Sequence, residues 1–127
     1  MSFPNTQGEP WYLWANGFPL QLLVTTDRDD GEVGGNIIDG DGNSVSIASG
    51  TWNDASKTLK FSRTLQDTGE VQTYTGFLFD QPTNFNGTSL SNPENYWVLA
   101  GSFTSVGGFE DPNRRGGMGW FAVAKAV

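Results

Sequence analysis

Cysteine and histidine are both absent from this chain of 127 residues. Without cysteine there is no disulfide framework and no thiol nucleophile. Without histidine there is no Ser-His-Asp triad, no imidazole base and none of the commonest zinc ligands. Basic residues are scarce: seven Lys and Arg stand against fourteen Asp and Glu, giving a net charge of −7. Tracking a phosphate backbone or an anionic headgroup layer needs a basic stripe, so neither nucleic acid nor membrane is an expected partner. The acidity is read as serving solubility. No apolar run approaches the length of a membrane span. The first ten residues carry neither a basic n-region nor an apolar h-region, so they do not read as a signal peptide, and the cytoplasm is the default expectation. Asn86-Gly87-Thr88 matches a glycosylation sequon, which without a secretion signal reads as a loop.

What the chain has instead is glycine, 17 residues, and aromatics, 13% of the total. Short strands joined by Gly-rich turns make sandwiches and barrels. One domain over residues 1–127 is expected, with 1–10 as a flexible N-terminal segment. Eight strands are predicted: Trp11–Asn16, Leu20–Thr26, Glu32–Ile38, Ser44–Trp52, Thr58–Leu65, Glu70–Phe79, Tyr96–Val106 and Gly119–Ala126. Asp39-Gly40-Asp41-Gly42-Asn43 suits a tight hairpin, because Asp-Gly and Gly-Asn favour positive φ. The connections from 80 to 95 and from 107 to 118 are long, and the second contains Arg114-Arg115. Connections of that length serve as binding loops or as plain surface, and both readings stand. Consecutive hairpins predict an all-β, eight-stranded antiparallel up-and-down barrel, whose closure removes exposed sheet edges.

Arg63 is the residue that points to function. In Leu59-Lys60-Phe61-Ser62-Arg63-Thr64-Leu65 the alternation places its guanidinium on the apolar face. A charge there needs compensation from an internal partner, water or a ligand. The same alternation turns Trp52, Gln72, Tyr74, Trp97 and Trp120 inward, with Asn16 near the end of the first strand. Aromatic walls with a few convergent polar groups describe a small-molecule pocket. The alternative is a filled core in which Arg63 bonds Gln72, the Tyr74 hydroxyl and carbonyls. Phe77, Phe79, Phe121 and Val123 face outward, which implies a protein–protein interface and a homodimer or homotetramer.

Several segments, in order, resemble the avidin and streptavidin family. They are Trp14-Ala15-Asn16-Gly17, Gly31-Glu32-Val33-Gly34-Gly35, Ile47-Ala48-Ser49-Gly50-Thr51-Trp52, Thr73-Tyr74-Thr75-Gly76 and Trp97-Val98-Leu99. The resemblance implies an avidin-like eight-stranded barrel with a ligand in its mouth, often assembled into dimers or tetramers. It implies ligand contacts at Asn16 and Trp97 and an aromatic wall at Tyr74. The chain departs from the family at Pro19, where the first loop usually offers Ser or Thr, and at Arg63, where an aromatic wall is usual. No acidic residue lies in the last strand to meet a ureido group, so biotin is not the expected ligand.

Asp39-x-Asp41-x-Asn43 shares the opening spacing of a calcium loop, but Ser44 replaces the sixth-position Gly and Gly50 the twelfth-position Glu. A hairpin is the expectation there, and no cofactor is expected. Gly31–Gly35 and Gly116-Gly117-Met118-Gly119 precede no helix and are not phosphate loops. Three functions remain. The first is a binding module holding a partly aromatic or anionic small molecule in the barrel interior near Arg63, with Asn16, Trp52, Gln72, Tyr74, Trp97 and Trp120 as its other contacts. The second is a cofactor-independent cyclase or isomerase, with Arg63 and Tyr74 stabilising developing charge. The third is a lectin-like protein gripping sugars with Trp11, Trp14, Asn84, Asn86 and Asn92.

Overall fold

The computed structural model describes residues 3–66, 68–79, 96–106 and 118–125. Its strands are β1 (Trp11–Ala15), β2 (Phe18–Asp27), β3 (Glu32–Ile38), β4 (Ser44–Asn53), β5 (Thr58–Thr64), β6 (Val71–Phe79), β7 (Tyr96–Val106) and β8 (Met118–Lys125). They pair antiparallel in sequence order, and β8 closes on β1 through Tyr12↔Val123 to Ala15↔Trp120. The fold is therefore an all-β, eight-stranded up-and-down barrel with avidin-like topology. No helix among the described residues is long and apolar enough to cross a membrane.

The strands agree with the alternation to within two residues at each end. The largest difference is at β2, which begins at Phe18 and includes Pro19. Two causes act together. Asn16 and Gly17 have φ of 49° and 82°, so they form a two-residue hairpin turn with both central residues at positive φ. In addition, β2 pairs with β3 only from Gln21 onward, so the N–H that Pro19 lacks has no ladder partner waiting for it.

The turn at Asp39 is the expected hairpin. Its Oδ1 accepts the backbone N–H groups of Asp41 at 2.9 Å and Asn43 at 3.0 Å. The carboxylate that opens the calcium-like spacing is thus spent on the backbone. Among the described residues no cluster of three potential metal ligands occurs.

Inward residues build a continuous core from Trp11, Leu13, Leu22, Ile37, Leu59, Tyr74, Leu99, Trp120 and their neighbours. The two ends of the barrel differ. The β2–β3 and β4–β5 turns lie at one end, which residues 3–10 also reach. Phe3 is buried there, with its ring 5.7 Å from Trp11 and edge-on to Trp52 at 5.4 Å. Trp97 Nε1 donates to the Asn5 carbonyl at 3.2 Å. The β1–β2, β3–β4 and β5–β6 turns lie at the opposite end, where Arg63 is found.

Candidate functional site

Antiparallel register stacks the inward residues of β5, β6 and β7 into rows. Phe61 pairs with Tyr74, and Tyr74 with Phe103. Their rings lie face to face, at 4.7 Å for each neighbouring pair, with interplanar angles of 1° and 15°. Trp120 meets Phe61 and Tyr74 edge-on at 5.8 Å. Offset-stacked and edge-on contacts are the favoured aromatic geometries.

The row below explains how an indole fits. Gly76 pairs with Gly101, and Gly101 with Trp120. A Cβ on Gly76 would lie 2.3 Å from Trp120 Cζ2, so the glycine vacates the space that the indole fills. Trp120 Nε1 then donates to the Thr75 and Ser102 carbonyls, each at 3.2 Å. The centre of the barrel is filled by these rings. A cavity bounded by Leu22, Val33, Ala48, Leu59 and Phe61 measures only about 10 Å³, at the threshold for one water.

The row above the aromatic stack is polar. Arg63 pairs with Gln72, and Gln72 with Ser105. Arg63 Nε donates to Gln72 Oε1 at 2.9 Å, and the Tyr74 hydroxyl donates to the same oxygen at 2.7 Å. Arg63 Nη1 reaches Ser46 Oγ at 3.5 Å. Gln72 Nε2 approaches Glu70 Oε2 at 3.5 Å, and the Ser105 hydroxyl donates to Glu70 Oε1. Burial raises the Tyr74 phenol above its usual range; Arg63 pulls it down and Glu70 pushes it up. The phenol stays protonated and donating at neutral pH.

Arg63 is 7% exposed, yet its hydrogen-bond partners Gln72 and Ser46 are neutral. Among the described residues no carboxylate lies within ion-pair distance of it. An open depression of about 350 Å³ runs over the β4–β5 rim beside it, lined by Ser46, Ile47, Ser49, Ser62, Arg63, Thr64 and Gln66. At the opposite end, a depression of about 390 Å³ lies between Arg28–Gly31 and Thr51–Asp54. Its cation, Arg28, is engaged by Asp30 at 3.6 Å and Glu32 at 3.5 Å. Its walls are mainly acidic turns, so it lacks the uncompensated charge that marks the Arg63 end.

The predicted site residues separate into groups. Arg63, Gln72 and Tyr74 form one hydrogen-bonded cluster, and Trp120 packs against the Tyr74 ring. Trp52 and Trp97 are outside it, at the Phe3 end, where Trp52 Nε1 donates to Asp54 at 3.2 Å. Asn16 is at the Arg63 end but serves the backbone: its N–H donates to the Gly119 carbonyl at 2.8 Å, and its Oδ1 accepts the Gly119 N–H at 2.9 Å. Ser46, Glu70 and Ser105 complete the cluster, and strand alternation alone does not single them out. Register carries the signal for two of them, since Ser105 pairs with Gln72 and Ser46 is two residues from Ala48, the partner of Arg63.

The lectin reading loses one platform, because Trp11 is fully buried. Trp14 is half-buried and stacks on Phe121 at 4.8 Å. Asn84, Asn86 and Asn92 lie outside the described residues, as do Arg114 and Arg115. No family model, no curated protein and no solved structure matches this chain. Its likeness to the avidins therefore rests on barrel topology, and its chemistry must be read from its own residues.

Proposed function

We propose that this barrel is a small-molecule-binding protein that receives a carboxylate or similar oxyanion at its Arg63 end. The observation that carries the reading is a buried guanidinium that, among the described residues, is held only by neutral groups. A buried charge is stabilised by an opposite charge with good hydrogen-bond geometry, and arginine is suited to planar oxyanions. The hydroxyls of Ser46, Ser49, Ser62 and Thr64 around the adjoining depression add further donors for such a group. The aromatic stack fills the barrel below, so the ligand sits at the rim and its body extends away from the barrel centre.

Binding is favoured over catalysis by one detail. The Tyr74 proton is committed to Gln72 Oε1, the oxygen that also takes Arg63 Nε. A cyclase or isomerase that works through this phenol needs its proton free to meet the reacting atom.

Native mass spectrometry on the protein as purified, and after addition of benzoate as a probe, tests the reading. The expected result is a stoichiometric anionic adduct that disappears in Arg63→Met while far-UV circular dichroism is unchanged. No adduct from either source, together with a melting temperature indifferent to benzoate, overturns it, because a ligand bound only to the folded state must raise stability. Retention of the adduct in Arg63→Met overturns the assignment to this end of the barrel.

A further inference from the structure

We propose that the Phe3 end of the barrel holds a second binding site, filled here by the chain's own Phe3 ring, whose ligand is a planar aromatic molecule with a hydrogen-bond acceptor. The proposal does not rest on the reading of Arg63. Phe3 lies in a slot of tryptophans. Its ring is 5.7 Å from Trp11, tilted by 48°, and 5.4 Å from Trp52, edge-on at 85°. Aromatic walls of this kind favour a flat ring. Three indole N–H groups stand at this end, and they differ. Trp52 Nε1 donates to Asp54 at 3.2 Å, and Trp97 Nε1 donates to the Asn5 carbonyl at 3.2 Å. Trp11 is fully buried, and its Nε1 has no hydrogen-bond partner among the described residues. A buried donor without an acceptor carries its desolvation cost uncompensated, and folded proteins leave few of them. Phe3 fills the space beside Trp11 but brings no nitrogen or oxygen on its side chain; a phenyl ring offers only its π face, a weak acceptor. A free ring bearing an acceptor atom would match the slot in shape and also meet that donor.

The segment that carries Phe3 can leave without disturbing the barrel. Residues 3–10 contain no strand, so lifting them breaks no rung of the β ladder. Their turn is closed by its own hydrogen bonds. Gln7 N–H donates to Asn5 Oδ1 at 2.8 Å, the Thr6 hydroxyl to the Glu9 carbonyl at 2.7 Å, and Glu9 N–H to the Thr6 carbonyl at 3.1 Å. Gln7 and Gly8, with φ of 52° and 82°, reverse the chain there. A segment outside the ladder opens locally at less cost than the fold as a whole. Trp52, which walls the slot, also lines the open depression of about 390 Å³ between Arg28–Gly31 and Thr51–Asp54. The slot therefore adjoins an open surface, which gives a ligand its way in and room for substituents.

Nitrogen–proton NMR of the indole groups tests this with pyridine and benzene, two rings of one size that differ by an acceptor nitrogen, at a pH where pyridine is unprotonated. Phe3→Ala empties the slot. In a slot with no free donor benzene binds more tightly, because the pyridine nitrogen gives up its water without replacement. With Trp11 Nε1 free, pyridine is expected to bind Phe3→Ala at least as tightly as benzene. It is also expected to move the Trp11 N–H proton downfield, which benzene does not. The wild type is expected to show the same pyridine shift, at a concentration higher by at least about tenfold, because Phe3 competes as a tethered occupant. The wild-type arm needs no substitution, so it decides the matter even where Phe3→Ala fails to fold. Tighter binding of benzene than of pyridine by Phe3→Ala, binding of neither ring by the folded variant, or a wild-type Trp11 signal that pyridine leaves unmoved overturns the proposal.

Discussion

The barrel is closed at its Phe3 end by hydrocarbon and at its Arg63 end by a hydrogen-bonded polar cluster. At the first, Phe3, Trp11 and Trp52 pack ring against ring, and Trp11 Nε1 is left without a hydrogen-bond partner among the described residues. At the second, Arg63, Tyr74, Gln72, Glu70 and Ser105 are linked, but the cluster is built around a cation that, among the described residues, meets only neutral groups directly. One end thus tolerates a missing hydrogen bond because its packing is extensive. The other satisfies its hydrogen bonds yet leaves a charge uncompensated. The difference separates an end held by ring packing from an end held by hydrogen bonds around a buried cation.

Breaking the Phe3 end is expected to have the largest effect on stability. Phe3→Ala removes a buried ring from between two tryptophans and should destabilise the fold by about 3–5 kcal/mol. Urea unfolding measures it, and a change well below that would show that this segment is not part of the core. Gly76→Ala tests the wall between the two ends. Its Cβ collides with an indole pinned by two carbonyls, so a loss of about 1–3 kcal/mol is expected in the same experiment.

The Arg63 end is sharpened by Gln72→Glu. A carboxylate at that position gives Arg63 an internal counterion while keeping an acceptor for the Tyr74 hydroxyl. Anion binding should fall at least tenfold, measured by calorimetry with benzoate, while the fold is kept. Undiminished binding would show that the ligand does not depend on the missing counter-charge.

Tyr74→Phe should have the smallest effect, about 1 kcal/mol for one hydrogen bond. It also carries a pH signature. The folded state holds the Tyr74 proton more tightly than the unfolded chain does, so the unfolded chain ionises first. The contribution of Tyr74 to stability is therefore fully present below pH 10 and is lost as pH rises through the folded-state value above it. Tyr74→Phe should show a shallower alkaline fall than the wild type in parallel urea titrations.

Much of this architecture is legible in the sequence because strand alternation is local. Each Cβ points opposite to its neighbour, so the inward setting of Phe61, Arg63, Tyr74 and Trp120 follows from the order of residues. The same rule places Phe77, Phe79 and Phe121 outside. The site is less legible. Trp52, Trp97 and Arg63 share an inward setting but lie at opposite ends, and alternation carries no information about height along the barrel. For Asn16 alternation gives no facing at all, because an Asn-Gly pair between two strands is a hairpin turn.

The sequence by itself therefore determined the strand count, the faces and the presence of a cation on the inner wall. Only the tertiary structure decided that Arg63 pairs with Gln72 in the row above the stacked rings, that Phe3 reaches Trp11 and Trp52, and that the barrel centre is filled. The reason is that facing is fixed by each residue's own backbone, whereas height depends on the stagger between strands and on a closure that joins β1 to β8 across nearly the whole chain.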